Sequence, residues 1–91
     1  LTRTLGAEWA EEGVRVNAVA PSHVRTGIGG GALKEDMPGV EDIHETIEDR
    51  TPMGRFAEPE EHKGIAVFLA SEASRYCTGY TYAIDGGWLT L

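Results

Sequence analysis

Cysteine is nearly missing from this chain: Cys77 stands alone, which excludes an internal disulfide and every multi-cysteine metal site. Long apolar runs are missing too. The longest, Ile65 to Ala70, falls far short of the ~20 residues that a membrane span needs. The first residues lack the basic, apolar, small-residue succession of a signal peptide. Basic residues are few, 8 against 15 acids, for a formal net charge of -7. Nucleic acid is therefore disfavoured as a main partner, because phosphate binding needs a basic surface. No Lys or Arg interrupts the stretch from Glu35 to Asp49, which reads as a solvated face or loop, with an interaction surface as the alternative. His23, His44 and His62 share no metal-ligand spacing. What remains is a soluble protein expected in the cytoplasm, with no metal, no nucleic acid and no membrane partner.

What is present is a globular composition, 41% apolar and 25% charged, in 91 residues. That is room for one small domain, and such a chain buries only ~60% of the surface it exposes when unfolded. Leu1, Leu5 and Trp9 recur at helical spacing, and Gly13 sits where a left-handed C-cap would end the helix. No Ser, Asp or Asn cap stands ahead of Leu1. The expectation is a C-terminal piece of a longer chain that starts inside a helix. Val14 to Ala20 is a β-branched run stopped by Pro21, the pattern of an inner parallel strand.

From Ser22 to Glu58 the pattern is irregular, opened by Gly27, Gly29, Gly30 and Gly31. Val40, Ile43 and Ile47 predict a short helix over Glu41 to Arg50. A connection of this length inside a compact domain usually has a job, such as a lid or binding loop. Pro59 then opens a helix at its first turn, with Glu58, Glu60 and Glu61 at the positive dipole end. Ile65, Phe68 and Leu69 give it an apolar stripe that fades by Ser71 to Ser74. Thr78-Gly79 turns into a second strand, Tyr80 to Ile84, ending at Asp85-Gly86-Gly87. Strand, crossover with helix, strand gives a parallel pair. Two parallel strands do not make a stable sheet, so the topology asks for further strands.

The chemistry-bearing stretch runs from Asn17 to Thr26. It is the carboxyl end of a strand, breaking at Pro21 into a small polar turn, and in open α/β sheets ligands bind just outside such ends. The exposed N–H groups after Pro21 can face an amide or phosphates, and Thr26 adds a hydroxyl. A plain strand-to-loop turn is the alternative.

In these residues the chain resembles the C-terminal portion of the classical short-chain dehydrogenases/reductases. The likeness is carried by Leu1 to Leu5, Glu8 to Ala10, Gly13 to Pro21, Val24-Arg25-Thr26, Pro52 to Phe56, Ala57 to Glu61 and Ile84 to Gly87. Several motifs in the right order are far more specific than any one. The resemblance implies an α/β fold, a Rossmann-type doubly wound parallel sheet, to which this chain supplies the last two strands and their helices. It implies one segment of a single dinucleotide-binding domain, with a substrate-loop region at about residues 27–57. It also implies NAD or NADP as cofactor, with Pro21 and Ser22 on the nicotinamide side, Val24 holding the carboxamide through its backbone, and Thr26 bonding the carboxamide or pyrophosphate. The implied reaction is hydride transfer to or from a small-molecule alcohol or carbonyl, such as a sugar, polyol or 3-oxoacyl group, in a homo-oligomer, commonly a tetramer. An enoyl reductase is the weaker reading, because Asn17 to Pro21 looks like the ketone/alcohol branch.

The family's catalytic Ser, Tyr and Lys and its glycine-rich phosphate loop have no counterpart among these residues. The 91 residues alone are expected to be inactive. A non-catalytic binding or assembly module on the same fold is the alternative. Ser22 stands where the family usually has Gly, and His23 follows it. His23 is either a substrate or cofactor residue or a surface turn residue. Cys77 reads as an ordinary half-buried thiol, Asp85 as a turn residue, and Trp9 and Trp88 as core or interface anchors.

Overall fold

The structure, a computed structural model, describes residues 1–25 and 39–90. Thr26 and the glycines of residues 27–31 lie outside the described residues, as does the first part of the expected substrate loop.

Helix α1 (Thr2–Trp9) continues into a single 3₁₀ turn, Ala10–Glu12. Gly13 ends it at φ 79°, its N–H donating to the Ala10 carbonyl at 3.0 Å. This is the left-handed cap the sequence predicts, and a residue with a Cβ would be strained there. The helical stripe is less informative. Leu5 is half-buried, whereas Leu1 and Trp9 are 92% and 41% exposed. The buried residue of α1 is Gly6, pressed against Gly79 so closely that a Cβ would stand 2.5 Å from the Gly79 Cα.

The first strand is shorter and later than expected. Strand β1 is Ala18–Pro21, not residues 14–20, and Pro21 is its last residue rather than its stop. Residues 15–17 are held mainly by bonds that involve a side chain rather than by a ladder. The Val16 N–H donates to Thr78 Oγ1 at 3.1 Å, and the Val16 carbonyl accepts from the Gly79 N–H at 2.7 Å. Asn17 Nδ2 donates to the Cys77 carbonyl at 2.9 Å, while Asn17 Oδ1 accepts from the Tyr80 N–H at 3.3 Å. Pro21 is tolerated because a proline can close a strand where its missing donor is not called upon.

Helix α2 (Val40–Arg50) lies where its spacing places it, one residue longer at the start. Thr51 ends it, its hydroxyl and N–H both donating to the Ile47 carbonyl, at 2.7 and 3.0 Å. The helix opened by Pro59 is split. Pro59–His62 forms a 3₁₀ turn, helix α3 covers Lys63–Ala70, and Glu72–Ser74 is another 3₁₀ turn. Ser71 divides the last two, its hydroxyl donating to the Phe68 carbonyl at 3.0 Å and accepting from the Ala73 N–H at 3.3 Å. This side-chain competition with the helix ladder is typical of serine.

Strand β2 (Thr81–Ile84) pairs parallel with β1, in the register Ala18 with Thr81 through Pro21 with Ile84. Among the described residues Ile47, 9% exposed, is the one buried apolar side chain. Val19, Val67 and Tyr80 remain 38%, 68% and 63% exposed. The two-stranded sheet thus leaves open the faces that a doubly wound sheet covers.

Candidate functional site

The carboxyl ends of β1 and β2 lie side by side, and the chain leaving β1 is fastened again at once. Val24 forms an isolated parallel bridge with Ala57. Its bonds run from the Ala57 N–H to the His23 carbonyl, at 3.0 Å, and from the Arg25 N–H to the Ala57 carbonyl, at 2.8 Å. In such a bridge the N–H and C=O of Val24 itself point to the opposite side. Among the described residues neither has a backbone partner. Val24 thus offers a donor and an acceptor side by side. Pro21 is exposed at the strand end, Ser22 is half-buried, and Thr26 lies outside the described residues.

A cleft of about 130 Å³ opens beside these ends, lined by Ser22, His23, Thr51, Met53, Arg55, Ala57, Glu61, Ile84, Asp85 and Gly86. Of the sequence-predicted cofactor residues that are described, Ser22 touches it. Pro21 and Val24 do not, so the cleft and the free amide pair of Val24 are adjacent features rather than one pocket. Segment 51–57 forms its far wall and is pinned to the strand end by the Met53 N–H, which donates to the Gly86 carbonyl at 3.0 Å. His23 is half-buried in that wall, its ring 4.9 Å from Trp88 edge-on and 6.1 Å from Phe56. Its Nδ1 is 2.9 Å from Ser22 Oγ.

Asp85 is a turn residue, as expected. Its Oδ1 accepts from the Gly87 N–H at 3.0 Å and its Oδ2 from the Leu89 N–H at 3.1 Å, which occupies both oxygens.

The anchor that composition and periodicity did not point to is Arg15. Its Nη2 donates to the carbonyls of Leu69 at 2.8 Å and Ser71 at 3.4 Å, and its Nη1 to that of Cys77 at 3.3 Å. One guanidinium thereby bonds the Leu69 carbonyl in the last turn of α3 and the Ser71 carbonyl just after it, where a cation also meets the negative end of the helix dipole. The only sequence sign was a charge inside an apolar run. Cys77 is half-buried, and its thiol beside the Tyr82 hydroxyl raises that phenol above its ordinary value.

Arg55 and Glu61 form a two-pronged pair, Nη1 to Oε1 at 2.6 Å and Nη2 to Oε2 at 2.9 Å. Glu61 Oε1 also accepts the Glu58 N–H at 3.0 Å, which closes the first turn after Pro59. The Arg55 bond, and then the Glu58 N–H, hold the Glu61 carboxyl down to about 2 from an ordinary 4.5. A group whose native value is lowered stabilises the fold fully above its unfolded value and loses that contribution as pH falls. The stability difference between the protein and its Glu61→Gln variant is therefore expected to be constant above pH 4.5 and to vanish as pH approaches about 2. Denaturant midpoints across that range check it; a difference that persists undiminished at the acid end contradicts it. The nearby Arg25–Glu58 pair, 3.6 Å apart and more than half exposed on both sides, contributes little.

Among the described residues no cluster of three His, Cys, Asp or Glu side chains could hold a metal ion, and no helix is long and apolar enough to cross a membrane.

Residues 1–89 match a family model described as Enoyl-(Acyl carrier protein) reductase. The chain is 51% identical over 88 residues to a galactitol 2-dehydrogenase (L-tagatose-forming) of Cereibacter sphaeroides, covering 97% of this chain and 33% of that protein. It is 46% identical over 89 residues to a 2-dehydro-3-deoxy-D-gluconate 5-dehydrogenase of Dickeya dadantii, covering 98% of this chain and 33% of that protein. A solved structure of a candidate NAD(P)-dependent gluconate 5-dehydrogenase from Beutenbergia cavernae, with bound NADP at low occupancy, superposes with a TM-score of 0.86 at 47% identity. It covers 99% of this chain and 34% of that one. The chain thus spans about a third of the length of the relatives it matches.

Proposed function

The chain belongs to the short-chain dehydrogenase/reductase family and has its Rossmann-type α/β fold; from that premise we propose that it is the C-terminal segment of the single dinucleotide-binding domain of an NAD(P)-dependent oxidoreductase. The reaction is hydride transfer between the cofactor and an alcohol or carbonyl substrate. The names of the relatives favour a sugar acid or polyol over a 3-oxoacyl group, and do not favour an enoyl thioester. The 91 residues contribute no catalytic Ser, Tyr or Lys, and alone they are inactive.

The observation that carries the reading is the backbone of Val24. Its N–H and C=O face away from the bridge to Ala57, at the carboxyl end of a parallel strand. A carboxamide has one acceptor and one donor group, and Val24 offers the complementary pair in a fixed geometry. The residues present therefore fit a nicotinamide. Pro21 and Ser22 orient the turn beside it, and Thr26 adds a hydroxyl. When bound, the cofactor supplies or accepts the hydride. What this segment does is hold the ring's amide and wall off the substrate side. A homotetramer in the cytoplasm is part of the same proposal; the open apolar side chains Val67 and Tyr80 are surface that further chain, from the same or another subunit, would cover.

The test is an assay of the full-length protein with NADH and NADPH against L-tagatose, and in the oxidising direction with NAD+ and NADP+ against galactitol and 2-dehydro-3-deoxy-D-gluconate. Substrate-dependent cofactor turnover is expected. Tight cofactor binding with no turnover on any alcohol or carbonyl would instead favour a non-catalytic module.

A further inference from the structure

We propose that His23 reads a hydroxyl group of the substrate, so that the cleft it lines takes a polyhydroxylated alcohol or hydroxy acid rather than an apolar acyl chain. The inference rests on the reading of the protein as an alcohol or carbonyl oxidoreductase. It deepens that reading by assigning a substrate-binding role to a residue of this chain.

The imidazole is held as a binding group must be. Its backbone carbonyl is tied to the Ala57 N–H at 3.0 Å. Its ring meets Trp88 edge-on at 4.9 Å and Phe56 at 6.1 Å. Ser22 Oγ occupies Nδ1 at 2.9 Å. The remaining nitrogen, Nε2, has no hydrogen-bond partner among the described residues, on a ring that walls a cleft larger than one water requires.

The other charged groups of that cleft are already matched within the protein. Asp85 accepts two backbone N–H groups, and Arg55 and Glu61 neutralise each other. Thr51 donates its hydroxyl to the Ile47 carbonyl. Among the described residues of the cleft, their matching leaves the imidazole as the ionisable side chain available to a ligand. Two tautomers are open to it. If Ser22 donates to Nδ1, Nε2 carries the proton and donates; if Ser22 accepts, Nε2 is an acceptor. A hydroxyl satisfies either arrangement, because it both donates and accepts. A carboxylate or ketone satisfies only one, and an acyl methylene neither. Met53 and Ile84 give the same cleft the apolar surface that the C–H groups of a polyol can cover.

The experiment compares the full-length protein with its His23→Phe and His23→Gln variants, on a polyol substrate and its singly deoxygenated analogues. KM and kcat for substrate, KM for cofactor and the melting temperature are measured together. The expected result is that the wild type disfavours one deoxy analogue by about tenfold in KM. His23→Phe, which keeps a ring against Trp88, loses that discrimination through a raised KM for the parent polyol, with kcat and the cofactor KM held. His23→Gln, which keeps a donor and an acceptor, restores part of it. If His23→Phe does not fold, the comparison of wild type with His23→Gln across the analogues carries the test. Undiminished discrimination in the variants overturns the inference while leaving the oxidoreductase reading intact, as does a rise confined to the cofactor KM or a preference for 3-oxoacyl substrates. No turnover of any alcohol or carbonyl by the wild type overturns both.

Discussion

Gly6→Ala is expected to destabilise the protein by about 3 kcal/mol, the upper part of the range for overpacking a tight contact. The added methyl would sit 2.5 Å from the Gly79 Cα and 2.7 Å from the Gly79 N. Both are backbone atoms, which cannot rotate aside as a side chain can. The whole 78–79 turn, or the helix, must move. That turn also supplies the N–H that bonds the Val16 carbonyl and the hydroxyl that bonds the Val16 N–H, so moving it strips the strand that follows. Gly64→Ala is the control. It lies in α3 with nothing within 4 Å of the new methyl, and it should stabilise by about 0.5 kcal/mol through helix propensity. Denaturant midpoints decide the matter. Equal shifts in the two variants would mean that the close approach carries no energetic weight.

Arg15→Met should cost about 3 kcal/mol, because part-buried carbonyls lose a charged donor. The three acceptors belong to Leu69, Ser71 and Cys77, so the loss falls on the end of α3 and on the turn before β2 together. Arg15→Lys keeps the charge but not the planar fork, and about half the loss is expected to remain. Methionine preserves the apolar stem, which separates the hydrogen bonds from packing. Hydrogen exchange localises the effect. Faster exchange in α3 and in residues 77–80, with α2 unchanged, is the expected pattern. Uniform acceleration throughout would assign Arg15 to general packing instead.

These two sites mark the limits of what the chain's pattern reveals. Local signals were legible: Gly13 as a left-handed cap, Pro59 as a first-turn residue, and helix α2 from Ile43 and Ile47. Each depends on neighbours within a turn or two. What could not be read were bonds between distant residues. Arg15 and Asn17 sit in an apolar run that reads as strand, yet their side chains answer to carbonyls about 60 positions away. That commitment is why β1 begins only at Ala18. Gly6 is a contact point, visible only once Gly79 is placed beside it. At the candidate site the strand end at Pro21 and the turn after it were legible. The enclosure of His23 was not, because Phe56 and Trp88 reach it from separate parts of the chain. The family motifs marked Pro52 to Phe56 but not that Arg55 would be taken up by Glu61.

The pairing of β1 with β2 has a kinetic consequence. The first bonds between the two segments, such as Val16 to Thr78, join residues 62 positions apart. Closing a loop of that length costs about 3.7 kcal/mol of chain entropy before any contact offsets it. Non-local parallel pairing of this kind is slow compared with helix formation. Helices α1 and α3 can flicker into existence early, while the ribbon between them waits for a long search. Until it closes, β1 offers a bare edge with Val19 on it, and Tyr80 and Tyr82 stand unpaired on the other segment. That interval, rather than the finished fold, is when this stretch is most open to pairing with the wrong strand.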